Sequence, residues 1–324
     1  MPKPLDGRIQ LLVLAGVGLF VIALALSLQG NLSFQAPLQP AGNESILQNL
    51  GLAPEFAGLS QWFNSEPLTI TGLRGKVVLV DFWAYSCLNC VHTLPYLKQW
   101  HEKYKDKGLV IVGIHSPEFD FEKQPENVKA ALEKQGLAYP VALDNEHSTW
   151  DAFQNQGWPH HYLVDKDGVI RYHHLGEGGY EETEKAIQAL LGETAALEKP
   201  MDAPSVDFTN IQTPEIYLGS EQFVPGTERL LGFQGNWKQN PDSMELLDDL
   251  GAVRLVFHAK SVNFVADAPA GARLKVVLDG KEKGTLEVKQ AGLYEVAAAD
   301  DYATHGLELG VSGKGFKLYT FTFW

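Results

Sequence analysis

The chain has 324 residues, 45% of them hydrophobic and 20% charged, which is typical of globular protein and long enough for about two domains. Its net charge of −14 argues against nucleic acid as a partner, because phosphates require a basic surface. The chain has only 2 cysteines, which excludes a framework of structural disulfides and a zinc site built on four cysteines.

The first predicted element is an apolar run over residues 9–28, which follows Lys3 and Arg8. About 20 apolar residues in a helix span the bilayer core, and a basic flank keeps the preceding end cytoplasmic. We therefore expect residues 1–30 to form a single-pass anchor in the inner (cytoplasmic) membrane, with the bulk of the chain on the extracytoplasmic, periplasmic side. A cleaved signal peptide is the alternative, although its apolar core is usually shorter.

Residues 31–52 are rich in Pro, Gln, Asn and Gly, which predicts a linker, and residues 53–193 then alternate strand-like and helix-like patterns. Continuous apolar runs are typical of strands buried on both faces, and Asp167-Gly168 marks a hairpin. This alternation predicts an α/β fold, a central mixed sheet flanked by helices. The predicted strands cover residues 77–83, 109–115, 139–143, 162–164 and 169–173. One predicted helix follows the cysteines, a second begins at Pro125, and two more cover residues 148–153 and 181–191.

Prolines at positions 200 and 204 mark a second linker over residues 194–205, and the pattern changes beyond it. Residues 206–324 contain short alternating strands separated by turn residues and no long helical pattern. Such spacing predicts an all-β sandwich or jelly roll.

The two cysteines, Cys87 and Cys90, lie three positions apart where a predicted strand meets a predicted helix. The unpaired N–H groups and the dipole at a helix N-terminus favour a thiolate at Cys87, and Cys90 follows one turn later, placed to resolve a mixed disulfide. Half of a metal site and incidental spacing remain the alternatives. We expect no cofactor other than the redox-active Cys87–Cys90 disulfide, and no metal.

Residues 80–90, VDFWAYSCLNC, closely resemble the active-site segment of thioredoxins. Pro95 matches the proline that bends the active-site helix in that family, and Trp158-Pro159 occupies the place of its cis-proline loop. The resemblance covers roughly residues 53–193. The additional strand and helix between His115 and Leu143 are similar to the insertion of the exported, membrane-anchored TlpA/ResA group.

This resemblance implies the residue roles. Cys87 would be the nucleophile and Cys90 the resolving thiol, with buried Asp81 as a base for Cys90, because burial disfavours its charged form. Pro159 would present a backbone edge to a bound partner strand. Trp83 and Trp158 would pack beside the disulfide, although core packing is the alternative for Trp83.

Three segments followed by a β domain are specifically similar to the exported part of DipZ-type proteins: residues 85–90, 158–159 and 176–184. In that group a domain similar to carbohydrate-binding modules follows the thioredoxin-like domain. The resemblance implies exchange with exported protein thiols and disulfides, a separate membrane electron donor and a possible glycan at the β domain. By similarity to TlpA/ResA we expect a reductant, although Ser86 and Leu88-Asn89 depart from the thioredoxin pattern and leave the direction open. The alternative is a surface module that binds glycan or protein, with a redox-sensing thioredoxin-like domain.

Other polar residues have more ordinary interpretations. Neighbouring residues of a strand point to opposite faces, so we expect the pairs His160-His161 and His173-His174 to be packed or solvated rather than to bind a metal. His92, in the active-site helix, could modulate the thiolates. We expect Glu177 to lie at the solvated start of a helix.

Overall fold

The computed structural model describes residues 46–204 and 206–324. The apolar run at residues 9–28, predicted to be the anchor, lies outside these ranges. Within them, no helix is both long enough and apolar enough to span a bilayer.

The first half is an α/β unit around a six-stranded sheet. Its elements are β1 (Trp62–Phe63), β2 (Val77–Trp83), α1 (Leu88–Tyr104), β3 (Leu109–His115), α2 (Pro125–Gln135), β4 (Val141–Leu143), α3 (Ser148–Ala152), β5 (His160–Val164), β6 (Ile170–Leu175) and α4 (Tyr180–Leu191).

The strand order is β1-β4-β3-β2-β5-β6. Strands β2, β3 and β4 run parallel, whereas β1, β5 and β6 are each antiparallel to their neighbours. All seven residues of β2 are buried, as expected for an inner strand covered on both faces. The predicted mixed sheet flanked by helices is confirmed.

Helix α1 begins directly after β2 and carries the second cysteine. It buries one face against the sheet through Leu94, Leu97, Trp100 and Tyr104, which recur at helical spacing. Pro95 lies inside the helix, where it has no N–H to donate to the preceding turn.

The second half is an all-β unit of antiparallel strands, and its core includes Phe257, Phe264, Phe316 and Phe321. Two long strands, β11 and β14, pair along most of their length, with register shifts at bulges. The large all-β domain is therefore confirmed, and its sandwich or jelly-roll topology stays a prediction. The strands are β7 (Ile216–Tyr217), β8 (Leu231–Gln234), β9 (Trp237–Gln239), β10 (Met244–Leu246), β11 (Leu250–Asp267), β12 (Ala272–Leu278), β13 (Lys281–Val288), β14 (Gly292–Ser312) and β15 (Lys317–Phe323).

The two halves meet at an aromatic cluster next to the active-site segment. Phe119 and Phe121, in and before the short 3-10 helix Asp120–Lys123, each place their ring 5.0 Å from the ring of Tyr319 on β15. Val265 of β11 completes the buried cluster. This contact positions the β unit beside the cysteines.

Candidate active site

The two cysteines form a disulfide at the start of α1, with their Cα atoms 5.2 Å apart. Cys87 is the N-cap residue, and its Sγ accepts a hydrogen bond of 3.2 Å from the Cys90 amide. Cys90 is fully buried, whereas Cys87 is partly exposed. A partner sulfur can therefore reach Cys87, and the helix N-terminus would stabilise a thiolate there.

Ser86, directly before the nucleophilic position, is held by a buried glutamate. Its amide and hydroxyl both donate to Glu122 Oε1, at 3.1 and 2.7 Å. The other carboxyl oxygen accepts from the amides of Glu118 and Phe119. Burial raises the pKa of Glu122, although these hydrogen bonds oppose the shift. One side chain thus ties the cysteine loop to the segment after β3.

A cleft of about 190 Å³ opens at Cys87, and both halves of the chain form its walls. Trp158 lines it on the α/β side, with its indole N–H donating to the Ser116 carbonyl at 3.0 Å and its ring 4.4 Å from that of Trp150. The β unit contributes the remaining walls, including Phe208, Ile211, Glu215, Tyr217 and Phe323.

Pro159 follows Trp158 through a cis peptide bond and immediately precedes β5. Its carbonyl accepts a hydrogen bond of 2.8 Å from the Gly176 amide. Because Trp158 lines the cleft with Cys87, the Trp158-Pro159 loop lies on the cysteine side of the fold, where the sequence predicts it.

Asp81 lies in the middle of β2 and is completely buried. Its cross-strand neighbours are Gly113 of β3 and His161 of β5, and Oδ1 lies 3.2 Å from His161 Nε2. Burial and the nearby charge of Asp81 raise the pKa of Tyr139 well above its usual range, which places that phenol in the same interior region. Asp81 therefore lies in the interior of the sheet beside the imidazole of His161.

Trp83 is part of the core. Its ring lies 5.3 Å from that of His115, and a Cβ on Gly113 would come within 3.0 Å of its indole nitrogen. The residues found to line the cleft include Trp158 but not Trp83. Trp83 belongs to the same cluster of buried side chains as Cys90, against which Cys87 packs.

Comparisons with known proteins agree with this arrangement. A family model described as Redoxin matches residues 52–191, and one described as Thioredoxin like C-terminal domain matches residues 223–323. Thiol-disulfide oxidoreductase YkuV of Bacillus subtilis (strain 168) is 30% identical over 141 residues, which cover 44% of this chain and 95% of YkuV. The chain belongs to the redoxin family of thioredoxin-like thiol–disulfide oxidoreductases.

Two further relatives extend the similarity. Thiol-disulfide oxidoreductase ResA of Bacillus thuringiensis (strain Al Hakam) is 28% identical over 172 residues, 53% of this chain and 95% of ResA. Protein DipZ of Mycobacterium tuberculosis (strain CDC 1551 / Oshkosh) is 35% identical over 305 residues, 86% of this chain. The redoxin spans only 43% of the length of DipZ. YkuV and ResA are both named as thiol-disulfide oxidoreductases, so the alternative of a glycan- or protein-binding module is not favoured.

The helix that carries Cys90 also makes a buried contact between a histidine and a glutamate that the sequence does not predict. His92 Nδ1 lies 3.0 Å from Glu177 Oε2, and the two side chains are only 8% and 5% exposed. The ring of Trp324 lies 5.1 Å from that of His92. The expectation of a solvated Glu177 is wrong, because the loop before α4 folds this carboxylate onto α1.

The cleft at Cys87 also holds an acidic group, formed by Glu118, Glu215 and Tyr217. Tyr217 Oη of β7 donates to Glu118 Oε1 at 2.5 Å and lies 3.2 Å from Glu215 Oε2. Glu118 belongs to the α/β half, and the other two residues belong to the β half. Reasoning from the sequence missed this group, as it missed Glu122, because nothing in the spacing of these residues predicts their contact.

The two histidine pairs lie on the paired strands β5 and β6, where neighbouring residues point to opposite faces. His160 Nε2 lies 3.0 Å from His173 Nδ1, and His160 also bonds to Asn155. Burial and the neighbouring histidines lower the pKa of His160 to about 3, which keeps its ring neutral. Within residues 46–204 and 206–324 no three His, Cys, Asp or Glu side chains come together as a metal site would require.

Proposed function

We propose that this redoxin reduces disulfides of exported proteins, with Cys87 as the nucleophile and Cys90 as the resolving thiol. The observation that carries the proposal is the asymmetry of the pair. Cys87 caps a helix N-terminus and is open to the cleft, whereas Cys90 is buried one turn further on. Such a position lowers the pKa of a free thiol and makes its thiolate the attacking group.

The reaction begins when the Cys87 thiolate attacks one sulfur of the partner disulfide, and the other partner sulfur leaves as a thiolate. Cys90 then loses its proton and attacks Cys87. The second partner sulfur leaves, and the Cys87–Cys90 disulfide forms. Asp81 is the proposed acceptor of the Cys90 proton, supported by its complete burial in β2, the strand that leads to the cysteines. Two electrons pass from the redoxin to its partner.

Trp158 and Pro159 are proposed to hold the partner chain at Cys87. Trp158 supplies an apolar wall of the cleft. Pro159 has no N–H and its carbonyl already accepts from Gly176, so the backbone edge that would pair with an extended partner segment is the one Pro159 presents on its Trp158 side. This edge would orient the partner sulfur without a requirement for one particular sequence.

The proposal extends to location and electron supply. The apolar run at residues 9–28 would anchor the chain in the inner membrane, with the cysteines on the periplasmic side. A separate membrane protein would return electrons to the Cys87–Cys90 disulfide. The all-β domain would be a jelly roll that resembles carbohydrate-binding modules, with a glycan as its possible ligand. Recovery of the full-length chain from the soluble cytosolic fraction would contradict the location.

The activity is tested with the full chain purified in mild detergent, a dithiol as electron donor and a disulfide-bonded protein as acceptor. We expect catalysed reduction by the wild type and none by Cys87→Ser. Cys87→Ser with wild-type activity would overturn the mechanism. The direction is tested by the exchange equilibrium with glutathione, since a strongly oxidising couple would indicate an oxidase.

A further inference from the structure

The acidic group in the cleft has more hydrogen-bond acceptors than its phenol can satisfy. Tyr217 has one O–H, which it donates to Glu118, yet the carboxyl of Glu215 also lies 3.2 Å from the same oxygen. Because one O–H cannot serve two carboxylates at once, both contacts are hydrogen bonds only when one of the two carboxyls carries a proton. Thr320 of β15 reaches the other Glu215 oxygen at 3.5 Å.

The charges around the two glutamates also favour a proton on one of them. Neither Glu118 nor Glu215 has an ion-pair partner in the described part of the chain. The titratable groups that face Glu118 are Glu215, Glu122 and Tyr217, and Tyr217 also faces Glu215. Burial and the neighbouring carboxylates raise the pKa of Glu118, and burial raises the pKa of Glu215 to about 7. The group thus gains its first negative charge near neutral pH.

Glu118, Glu215 and Tyr217 also line the cleft into which Cys87 opens. A Cys87 thiolate would place a negative charge in the same small space of about 190 Å³. Two negative charges in a partly desolvated cleft repel each other, so each disfavours the ionisation of the other. By linkage the effect is the same in both directions: a charge on the glutamates disfavours the Cys87 thiolate as much as the thiolate disfavours that charge.

We infer that Glu118, Glu215 and Tyr217 form a proton-sharing group that takes up one proton when the Cys87–Cys90 disulfide is reduced and releases it when the disulfide forms again. The β domain thereby tunes the reduction potential of the Cys87–Cys90 couple from across the cleft. Glu118 and Glu215 act through the charge that they place near Cys87, as positioning residues rather than catalytic ones. This inference rests on the proposed exchange reaction and assigns the β domain a part in it.

The step balances with a dithiol as the reductant. The dithiol supplies two electrons and two protons and becomes a disulfide. The electrons break the Cys87–Cys90 bond, one proton stays on the Cys90 thiol and the other binds a carboxylate of the acidic group. Cys87 remains a thiolate. In the opposite direction, both protons pass to the disulfide that is being reduced.

The test compares wild type with Glu215→Gln in the full chain in mild detergent, by the exchange equilibrium constant with glutathione at pH 5.5 and pH 8.5. Glutamine keeps the shape of the side chain but cannot become charged. At pH 8.5 we expect the variant to favour the reduced form about three- to tenfold more than wild type, which at tenfold is about 30 mV for this two-electron couple. At pH 5.5, where the wild-type group is protonated, the two proteins should agree.

Glu308→Gln is the matched control, because Glu308 is an exposed glutamate of the same domain that is not among the cleft residues. We expect it to match wild type at both pH values. Tyr217→Phe is the second variant: its hydrogen bonds lower the pKa of both glutamates, so their loss should move the pH midpoint of the effect upward.

Two results would overturn the inference: a Glu215→Gln equilibrium constant equal to wild type at pH 8.5, or a difference of the same size at both pH values. The second result would indicate a purely structural role. Failure of the proposed function is distinguishable, since the wild type would then not exchange with glutathione at all.

Discussion

His161 Nε2 lies 3.2 Å from Asp81 Oδ1, and both side chains are buried. The register of β2 and β5 places the two residues directly opposite each other. The ring of Trp100 packs 6.4 Å from the imidazole. The redoxin thus holds a carboxylate and an imidazole as neighbours inside the sheet that carries the cysteine helix.

This pair gives the first prediction. Asp81→Asn should slow the resolving step about tenfold or more, because the amide cannot accept the Cys90 proton. The measurement is the lifetime of the mixed disulfide in a rapid acid-quench experiment. Asp106→Asn, at an exposed position, is the control and should behave as wild type. An unchanged lifetime in Asp81→Asn would remove Asp81 from the mechanism.

The second prediction concerns the resolving thiol. Cys90→Ser should still form a mixed disulfide through Cys87 but should fail to release the partner, because serine cannot attack the bond. Non-reducing gel electrophoresis followed by mass spectrometry would identify the trapped pair. The double variant Cys87→Ser/Cys90→Ser should trap nothing. Trapping through Cys90 in Cys87→Ser, with none in Cys90→Ser, would reverse the two roles.

The third prediction is the pH dependence of stability at Glu215. Burial raises the pKa of this carboxyl from 4.5 to about 7 in the folded state. The folded state therefore binds the proton more tightly, so this stabilisation is complete below pH 4.5 and is lost as the pH rises through 7. The free energy of unfolding of Glu215→Gln, taken relative to wild type, should therefore rise by about 1–2 kcal/mol from pH 5 to pH 8, after a discount for solvent screening. Urea unfolding at both pH values measures this, and a constant difference would contradict it.

The fourth prediction separates two nearby glutamates. Glu177→Ala should lower the free energy of unfolding by about 2–3 kcal/mol, because it leaves the buried His92 without its partner. Glu181→Ala, four residues further on and exposed, should change stability by less than about 0.5 kcal/mol. Chemical denaturation checks both. Equal losses in the two variants would show that the His92–Glu177 contact contributes little.

The fifth prediction tests the support of the cysteine loop. Glu122→Gln should destabilise the redoxin by about 1–3 kcal/mol, because both carboxyl oxygens accept hydrogen bonds and an amide has only one acceptor. Exchange by Cys87 should slow as its loop loosens. Glu126→Gln, in the first turn of α2, is the control. Wild-type stability of Glu122→Gln would show that the carboxylate is dispensable.

The sequence by itself determined the features that depend on neighbouring residues. The apolar run of β2, the cysteines at the start of α1 and the helical spacing of Leu94, Leu97 and Trp100 follow from local periodicity. The predicted α/β and all-β halves follow from the same kind of pattern.

Only the tertiary structure decided which distant groups meet. Glu177 contacts His92 across 85 residues, and Glu118 contacts Tyr217 across 99. Sheet register, which depends on pairing across the whole fold, sets Asp81 opposite His161. Docking of the β unit brings Glu215 into the cleft of Cys87. A local sequence pattern predicts that a charged residue is exposed to solvent, because only packing between distant segments can bury its side chain.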